Sequence, residues 1–296
     1  MDIRIRFDSK ADIKQYVSEC ESCFDLQMDN CVKTIKSKED LKFITLSGPT
    51  CSGKTTASEI ITRELEKSGH KVSVVSIDDY FYDRNVLNSK KVLDYDSVDT
   101  IDLALLSETV EALEDGRSAD IPIFDFKSGN RVGYRTYTPD SSEVIIFEGI
   151  QAVYPQVSCL FDKNDTLGIY ISVANDAMFD DMCVDARTVR LLRRLVRDCK
   201  KRSSTPEFTL TLWESVCKNE DISIFPYEND CDIKLDSLLG YEFSVIKDRV
   251  LPLLGEIDEG SIHFQKAREL EKIFVNIQSV DSSFVPHDSL FREFIP

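Results

Sequence analysis

Apolar residues along the chain gather in short runs separated by longer amphipathic stretches. FITLS (Phe43 to Ser47), VSVVSI (Val72 to Ile77), VIIF (Val144 to Phe147) and the β-branched run Leu167 to Val173 read as buried strands. Ile233 and Leu235 suggest a last short one. Between them, Ala57, Ile60, Ile61, Glu64 and Leu65 carry a helical period that Gly69 can stop, and a second helix is expected from Ile101 to Leu113, ending near Gly116. Strands alternating with helices predict an α/β fold with a doubly wound, mostly parallel sheet and right-handed crossovers. Ligands of such sheets bind beyond the carboxyl ends of the strands. Ahead of this lies a prelude in which Ile3, Ile5 and Phe7 alternate and helix-like polar text follows. Behind it, from Tyr241 on, come two amphipathic stretches and the tail VPHDSLFREFI, expected to pack on the core or on a partner subunit. No internal repeat or low-complexity segment interrupts the pattern.

The first strand runs into Gly48, Pro49, Thr50, Cys51, Ser52, Gly53, Lys54, Thr55 and Thr56. A glycine, four residues, then Gly-Lys-Thr is the spacing of a phosphate-binding loop. Consecutive backbone N–H groups must converge on a phosphate, which requires glycine where a side chain would block the loop. The following helix adds unpaired N–H donors and the positive end of its dipole. Lys54 can reach the outer phosphates and the Thr55 hydroxyl can hold Mg²⁺. An ordinary strand–turn–helix is the competing reading, and the strand before and helix after favour a nucleoside triphosphate site.

Composition narrows the partners. The chain has 296 residues, 42% hydrophobic and 30% charged, and a formal net charge of -17. That balance argues against nucleic acid or an anionic membrane as a general electrostatic partner, so any phosphate must be drawn in by local features. No apolar run is long enough to span a bilayer, and MDIRIRFDSK lacks the apolar core of a signal peptide. Nine cysteines and three histidines then read as reduced thiols in a cytoplasmic protein, with Cys20, Cys23 and Cys31 lacking the partners of a zinc or redox site. Cys51 stands apart because it lies in the phosphate loop, where helix N–H groups would activate its thiol toward alkylation.

Several polar residues sit where strands end. Asp78 and Asp79 follow the second strand, where a carboxylate could orient an acceptor hydroxyl and take its proton, or simply cap a turn. Tyr80, Phe81 and Tyr82 beside them could wall a pocket or belong to the core. Glu148 ends an apolar strand, as a metal-linked acid would, or as a solvated strand end would. Between Arg187 and Arg202, at about 100° per residue, Arg187, Arg190, Arg193, Arg194 and Arg197 share one helix face, opposite Val189, Leu192, Leu195 and Val196. A solvated charged face is the common reason for such a stripe. Five arginines without an acid among them repel one another, which favours a phosphate-clamping lid.

Together the phosphate loop, Asp78, Glu148-Gly149-Ile150 and RLLRRLVRD resemble the uridine kinase/phosphoribulokinase family over roughly residues 41–236. The tail also resembles that of bacterial uridine kinase-like proteins. The resemblance implies ATP and Mg²⁺, with Asp78 as general base, Lys54 and Thr55 on the phosphates and metal, and Glu148 as a second metal-side acid. It implies that Arg190 and Arg193 are lid arginines reaching phosphates and substrate. In YDSVDTID (Tyr95 to Asp102), Asp96 matches the aspartate on the ribose hydroxyls; in FDFKSGNR, Phe124 and Phe126 match the aromatics beside the base and Arg131 the arginine. The family's base-reading histidine is replaced by Gly129, which loosens the expectation of uridine or cytidine as acceptor. The expected organisation is an N-terminal extension (residues 1–40), a kinase core (41–240) with a lid at about 185–230, and a C-terminal helical extension (241–296). The expected activity is transfer of the γ-phosphoryl group to the 5′-hydroxyl of a pyrimidine nucleoside. A same-family kinase for a pentose phosphate or other nucleoside, a nucleotide-operated switch or ATPase, and a non-catalytic nucleotide-binding scaffold are the alternatives. The only other partner allowed is a second copy of the chain.

Overall fold

A computed structural model describes residues 2–90, 96–179 and 182–295, so Tyr95 lies outside the described residues. The elements follow in order: α1 (Lys10–Lys36), β1 (Phe43–Ser47), α2 (Lys54–Glu66), β2 (Lys71–Ser76), a 3₁₀ turn (Ile77–Tyr80), α3 (Arg84–Lys90) and α4 (Leu103–Glu114). Next come β3 (Ala119–Asp125), β4 (Asn130–Tyr137), β5 (Glu143–Glu148), α5 (Pro155–Ser158), β6 (Thr166–Ser172), β7 (Ala177–Phe179) and β8 (Met182–Val184). The chain closes with α6 (Ala186–Arg202), α7 (Pro206–Asn219), β9 (Ile233–Asp236), α8 (Glu242–Gly255) and α9 (Phe264–Ile273). No helix among the described residues is long and apolar enough to cross a membrane.

Five strands form one parallel sheet in the order β2-β5-β1-β6-β9. Its central strands β1, β5 and β6 read as continuous apolar runs because both faces are covered, whereas the edge strands β2, expected as buried, and β9 are only part-buried. Ile44 and Leu46 of β1, Val144 and Ile146 of β5, and Leu167, Ile169 and Ile171 of β6 point into one core, shared with α1, α2, α6 and α8. Phe43, Ile145, Phe147 and Tyr170 alternate into the other, which is shared with α4 and β3. The result is the three-layer phosphate-loop architecture. Insertion of β5 between β1 and β2 brings Leu46 level with Glu148, and Ser76 level with Glu148 on the other side. Three chain segments distant in sequence therefore end at one place.

Two features went unforeseen. β3 and β4 form a separate antiparallel hairpin with an irregularity at Ile123/Phe124. Its strands carry many exposed positions and little alternation, so the apolar pattern gives no sign of it. The N-terminal segment, expected as an extension of unknown role, sends Ile13, Val17, Phe24 and Met28 of α1 into the main core. Gln27 of α1 also closes the sheet's outer edge, accepting from Asp236 N at 2.9 Å and donating to Asp236 O at 3.2 Å.

Candidate active site

β1 delivers the phosphate loop to the sheet's carboxyl edge. Gly48 is required there, since a Cβ would stand 2.0 Å from the Ile171 carbonyl oxygen. Lys54, first residue of α2, curls back and donates to Gly48 O at 2.9 Å and Pro49 O at 3.2 Å. Burial weakens its hold on its proton, against the opposing charges of Glu148, Glu293 and Asp78. Cys51 adopts a positive φ of 58°, but its thiol is buried in the core, so the expected reactive thiol is not presented to solvent.

Across the loop, Asp78 and Asp79 part company. Asp78 lines the cavity, and burial raises its carboxyl above the usual range despite the pull of Lys54. Asp79 instead accepts from Phe124 N at 3.1 Å and ties the hairpin to the 3₁₀ turn. Glu148 also faces the cavity, raised by burial and held against Lys54, with its Oε1 accepting from the Thr55 hydroxyl at 3.3 Å. Asp78, Lys54, Thr55 and Glu148 thus meet in a cavity of about 910 Å³, the size of a site for a nucleotide and a second small molecule. Thr55 and Glu148 form the oxygen pair that would hold Mg²⁺. One hydroxyl and one or two carboxylates fit a cation that keeps waters and takes its remaining ligands from substrate phosphates. Among the described residues no group of three metal-ligating side chains could hold an ion unaided.

At the far end Phe81, Phe124 and Phe126 cluster with ring centroids 5.2–6.1 Å apart, and Phe126 is 64% exposed. Asp96 lines the same cavity. Two residues expected beside them lie elsewhere. Tyr80 is wholly buried in the core under α4, and does not line the cavity. Arg131 is consumed by structure: it pairs with Asp102 at 3.1 Å and donates to the Phe81 and Tyr80 carbonyls at 3.0 Å each. It fastens the hairpin to the 3₁₀ turn and to the start of α4, and so supports the phenylalanine wall from behind.

The arginine stripe needs the largest correction. α6 is walled in on both sides, because the apolar face packs in the core and the arginine face meets acids from later in the chain. Arg190, 1% exposed, grips Glu220 at 2.5 and 2.7 Å and donates to Thr50 O at 3.2 Å. Arg193, 0% exposed, grips Glu242 at 2.7 and 2.9 Å and donates to Cys51 O at 3.1 Å and Ser237 O at 2.7 Å. Neither lines the cavity; both hold the phosphate loop from behind. Arg187 pairs with Asp221 away from the site. The cations that do face the cavity are Arg194 and Arg197, both on Asp198, and Lys201 and Arg202 in the last turn of α6. Burial first, then the nearby charge of Arg197, loosens the Arg202 proton against the pull of Asp198, 3.7 Å away.

The tail contributes a residue that sequence reasoning left out. Leu290 covers Gly53, standing 2.4 Å from where a Cβ would be. Glu293 lines the cavity, accepts from the Thr56 hydroxyl at 3.2 Å, and offers its carbonyl to Lys201 at 2.8 Å. The likeness of VPHDSLFREFI to a kinase tail was the available signal.

Comparison with known proteins agrees with this geometry. Residues 43–240 match the Phosphoribulokinase / Uridine kinase family. Inorganic pyrophosphatase TTM1 of Arabidopsis thaliana is 28% identical over 177 residues, 60% of this chain, which spans only 24% of that protein's length. A uridine kinase of Staphylococcus aureus (strain JH9) is 31% identical over 193 residues, covering 64% of this chain and 84% of its own. Among solved structures, a candidate fructose transport system kinase from Silicibacter sp. TM1040 superposes with a TM-score of 0.52 at 16% identity, over 70% of this chain and 98% of that one; it is similar in fold. With its phosphate loop, Asp78 and Glu148 in place and two-thirds of its length matched, the chain belongs to the Phosphoribulokinase / Uridine kinase family.

Proposed function

We propose that the chain is an ATP-dependent kinase that transfers the γ-phosphoryl group to a hydroxyl of a small acceptor. The observation that carries this reading is the cavity in which half-buried Asp78 meets Lys54, Thr55 and Glu148 while three phenylalanines wall the other end. A switch or simple ATPase has no use for that second compartment. In the reaction the acceptor oxygen attacks the γ-phosphorus, the bond to the β–γ bridging oxygen breaks with its electron pair leaving on ADP, and the hydroxyl proton passes to Asp78. Lys54 exchanges its loop carbonyls for phosphate oxygens, and Arg194, Arg197, Lys201 and Arg202 close round the transferring charge. Mg²⁺ held by Thr55 and Glu148 would neutralise the β- and γ-phosphate oxygens. Arg190 and Arg193 act as positioning residues that fix the loop.

The names of relatives suggest the 5′-hydroxyl of uridine or cytidine as acceptor, with the base against Phe81, Phe124 and Phe126 and Asp96 on the ribose. Gly129 favours a second reading, a different acceptor on the same chemistry, because the turn offers no side chain to read a base edge. A coupled assay of ADP release across nucleosides, pentose phosphates and small hydroxy acids tests the kinase reading. Acceptor-independent phosphate release that no acceptor stimulates would refute it.

A further inference from the structure

Beyond Glu148 the chain turns at once into a short 3₁₀ segment, Ile150–Val153. Three hydrogen bonds fix that turn: Gly149 N donates to Leu46 O at 3.1 Å, the Ser47 hydroxyl to Ile150 O at 3.0 Å, and Tyr154 N to Gln151 O at 2.9 Å. Gly149 is pressed against the residue before Asp78, since a Cβ at 149 would lie 2.9 Å from Cβ of Ile77. The same Cβ would lie 3.0 Å from Gln151 Oε1, so the Gln151 amide lodges in space that only glycine leaves open. Glu148, Gly149, Ile150 and Gln151 all line the cavity that Asp78 lines.

Gln151 is 0% exposed, and neither its Oε1 nor its Nε2 has a hydrogen-bond partner among the described residues. A buried amide unanswered at both ends costs stability, where a leucine of similar volume would not. Its reason therefore lies outside folding, and the chemistry beside it is Asp78. Burial raises that carboxyl, and two neighbours work against the rise, first the charge of Lys54 and then the Gln151 amide. The amide thus stands close to the carboxylate without being bonded to it. With Oε1 lodged at Gly149, Nε2 is the end left for Asp78, and it is the end that can donate to a carboxylate.

We infer that Gln151 is the positioning residue of the base, its Nε2 donating to one carboxylate oxygen of Asp78 once an acceptor hydroxyl occupies the other. The inference rests on the kinase reading and deepens it. Hydrogen bonds between catalytic groups are often long in a free enzyme and tighten in the reacting complex. A carboxylate turns about its own Cβ–Cγ bond, so a base held at one oxygen presents the other at a fixed angle. That is the part of the third group that orients a base toward its partner. The other polar neighbours are committed elsewhere. Lys54 donates to the Gly48 and Pro49 carbonyls, and Asp79 accepts from Phe124 N in the hairpin.

Gln151→Leu keeps the volume and removes both unanswered atoms, and it is tested with the best acceptor of the panel above. Its kcat should fall about 10- to 150-fold, the loss of one hydrogen bond to a charged group, with KM for ATP and for the acceptor within about twofold of the parent. The acid midpoint of kcat/KM should move up, because a donor that favours the ionised carboxylate is gone. Lys54, Asp79, Glu148 and Arg202, whose charges also reach Asp78, are unchanged in the variant. The nucleotide-free protein should melt no lower than the parent, since no native hydrogen bond of that side chain is lost. In an Asp78→Asn background the same substitution should change the residual rate less than about twofold, as when one residue acts through the other. A kcat within about twofold of the parent, an unmoved acid midpoint, equal losses in both backgrounds, or a melting temperature lowered by more than about 2 °C overturns the inference and leaves the kinase reading standing. A parent that phosphorylates no acceptor refutes the kinase reading and takes the inference with it, an outcome that the parent alone decides.

Discussion

Arg193→Ala separates two physical roles for the arginine helix. A phosphate clamp and a loop brace both predict an impaired kinase, but they differ in what happens to the protein without nucleotide. In the structure Arg193 makes two bonds to Glu242, two to Ser237 and one to Cys51 O, all inside the protein. Removing it strands the buried Glu242 carboxylate and unpairs the Cys51 and Ser237 carbonyls. Breaking one side of a buried ion pair costs about 3–5 kcal/mol. At about 2–4 °C per kcal/mol for a chain of this order of size, the melting temperature of the nucleotide-free protein should fall by about 6–20 °C. The double variant Arg193→Met/Glu242→Gln removes both charges at similar volume and should recover more than half of that loss. It should not recover ATP affinity, because Cys51 O still lacks its donor. Differential scanning calorimetry and nucleotide titration read both quantities. A nucleotide-free melting temperature within about 2 °C of the parent, alongside a hundredfold or greater fall in kcat, would refute the brace and restore the clamp.

The other predictions concern the cavity itself. Asp78→Asn should retain ATP binding and lower kcat by about 10²–10⁴-fold, as loss of a general base does; near-parental turnover in the coupled assay would remove Asp78 from the chemistry. Because burial raises the Asp78 carboxyl above 3.8, its folded state favours the proton. The stability it contributes is present below that pH and lost as pH rises through the raised value, so Asp78→Asn should melt higher than the parent at pH 7 and lose this advantage in acid. For the same reason kcat/KM should fall on acidification at a midpoint above 3.8, and a flat profile down to pH 4 would contradict the assignment. Phe294, fully buried beneath Arg193, ties the tail to the loop; Phe294→Ala should cost about 3–5 kcal/mol, and an unchanged melting temperature would show the tail to be dispensable. Glu293→Gln removes a carboxylate beside the phosphate loop and should tighten ATP binding on the order of a few-fold by titration; weaker binding would show that the tail carboxylate serves the nucleotide.

The parts of the fold that sequence made legible are those whose cause is local. A parallel strand buried on both faces has to be a continuous apolar run, and β1, β5 and β6 are. The phosphate loop is spelled by sterics at single positions such as Gly48. What stayed hidden depends on partners far along the chain. The arginines of α6 looked unneutralised because Glu220 and Glu242 lie 30 and 49 residues from the ones they pair. Arg131 matched a substrate-binding position of the family by resemblance, yet Asp102 and two carbonyls each take one of its three guanidinium nitrogens. Of the adjacent Asp78 and Asp79, spacing could not say which faces the cavity, because a 3₁₀ turn points neighbouring side chains well apart.

The buried arginines also explain how a loop of ordinary residues becomes an anion receptor before any anion arrives. All peptide bonds described here are trans, so each carbonyl and the N–H of the next residue point in opposite directions across a rigid plane. Arg190 holds the Thr50 carbonyl and Arg193 the Cys51 carbonyl toward the protein interior. The N–H groups of Cys51 and Ser52 must then face the other way, into the cavity. Glu220 and Glu242 hold the two guanidinium groups in place, while Leu290 presses on Gly53 at the loop's end. The orientation of the cradle is thereby set by contacts that no nucleotide touches. Donors aimed in advance need no reorganisation when charge develops, which is where their effect on the proposed phosphoryl transfer would lie. The arginine helix thus fixes the backbone of the loop from behind, while Arg194, Arg197 and Arg202, gathered on Asp198, are the arginines of the same helix that face the cavity.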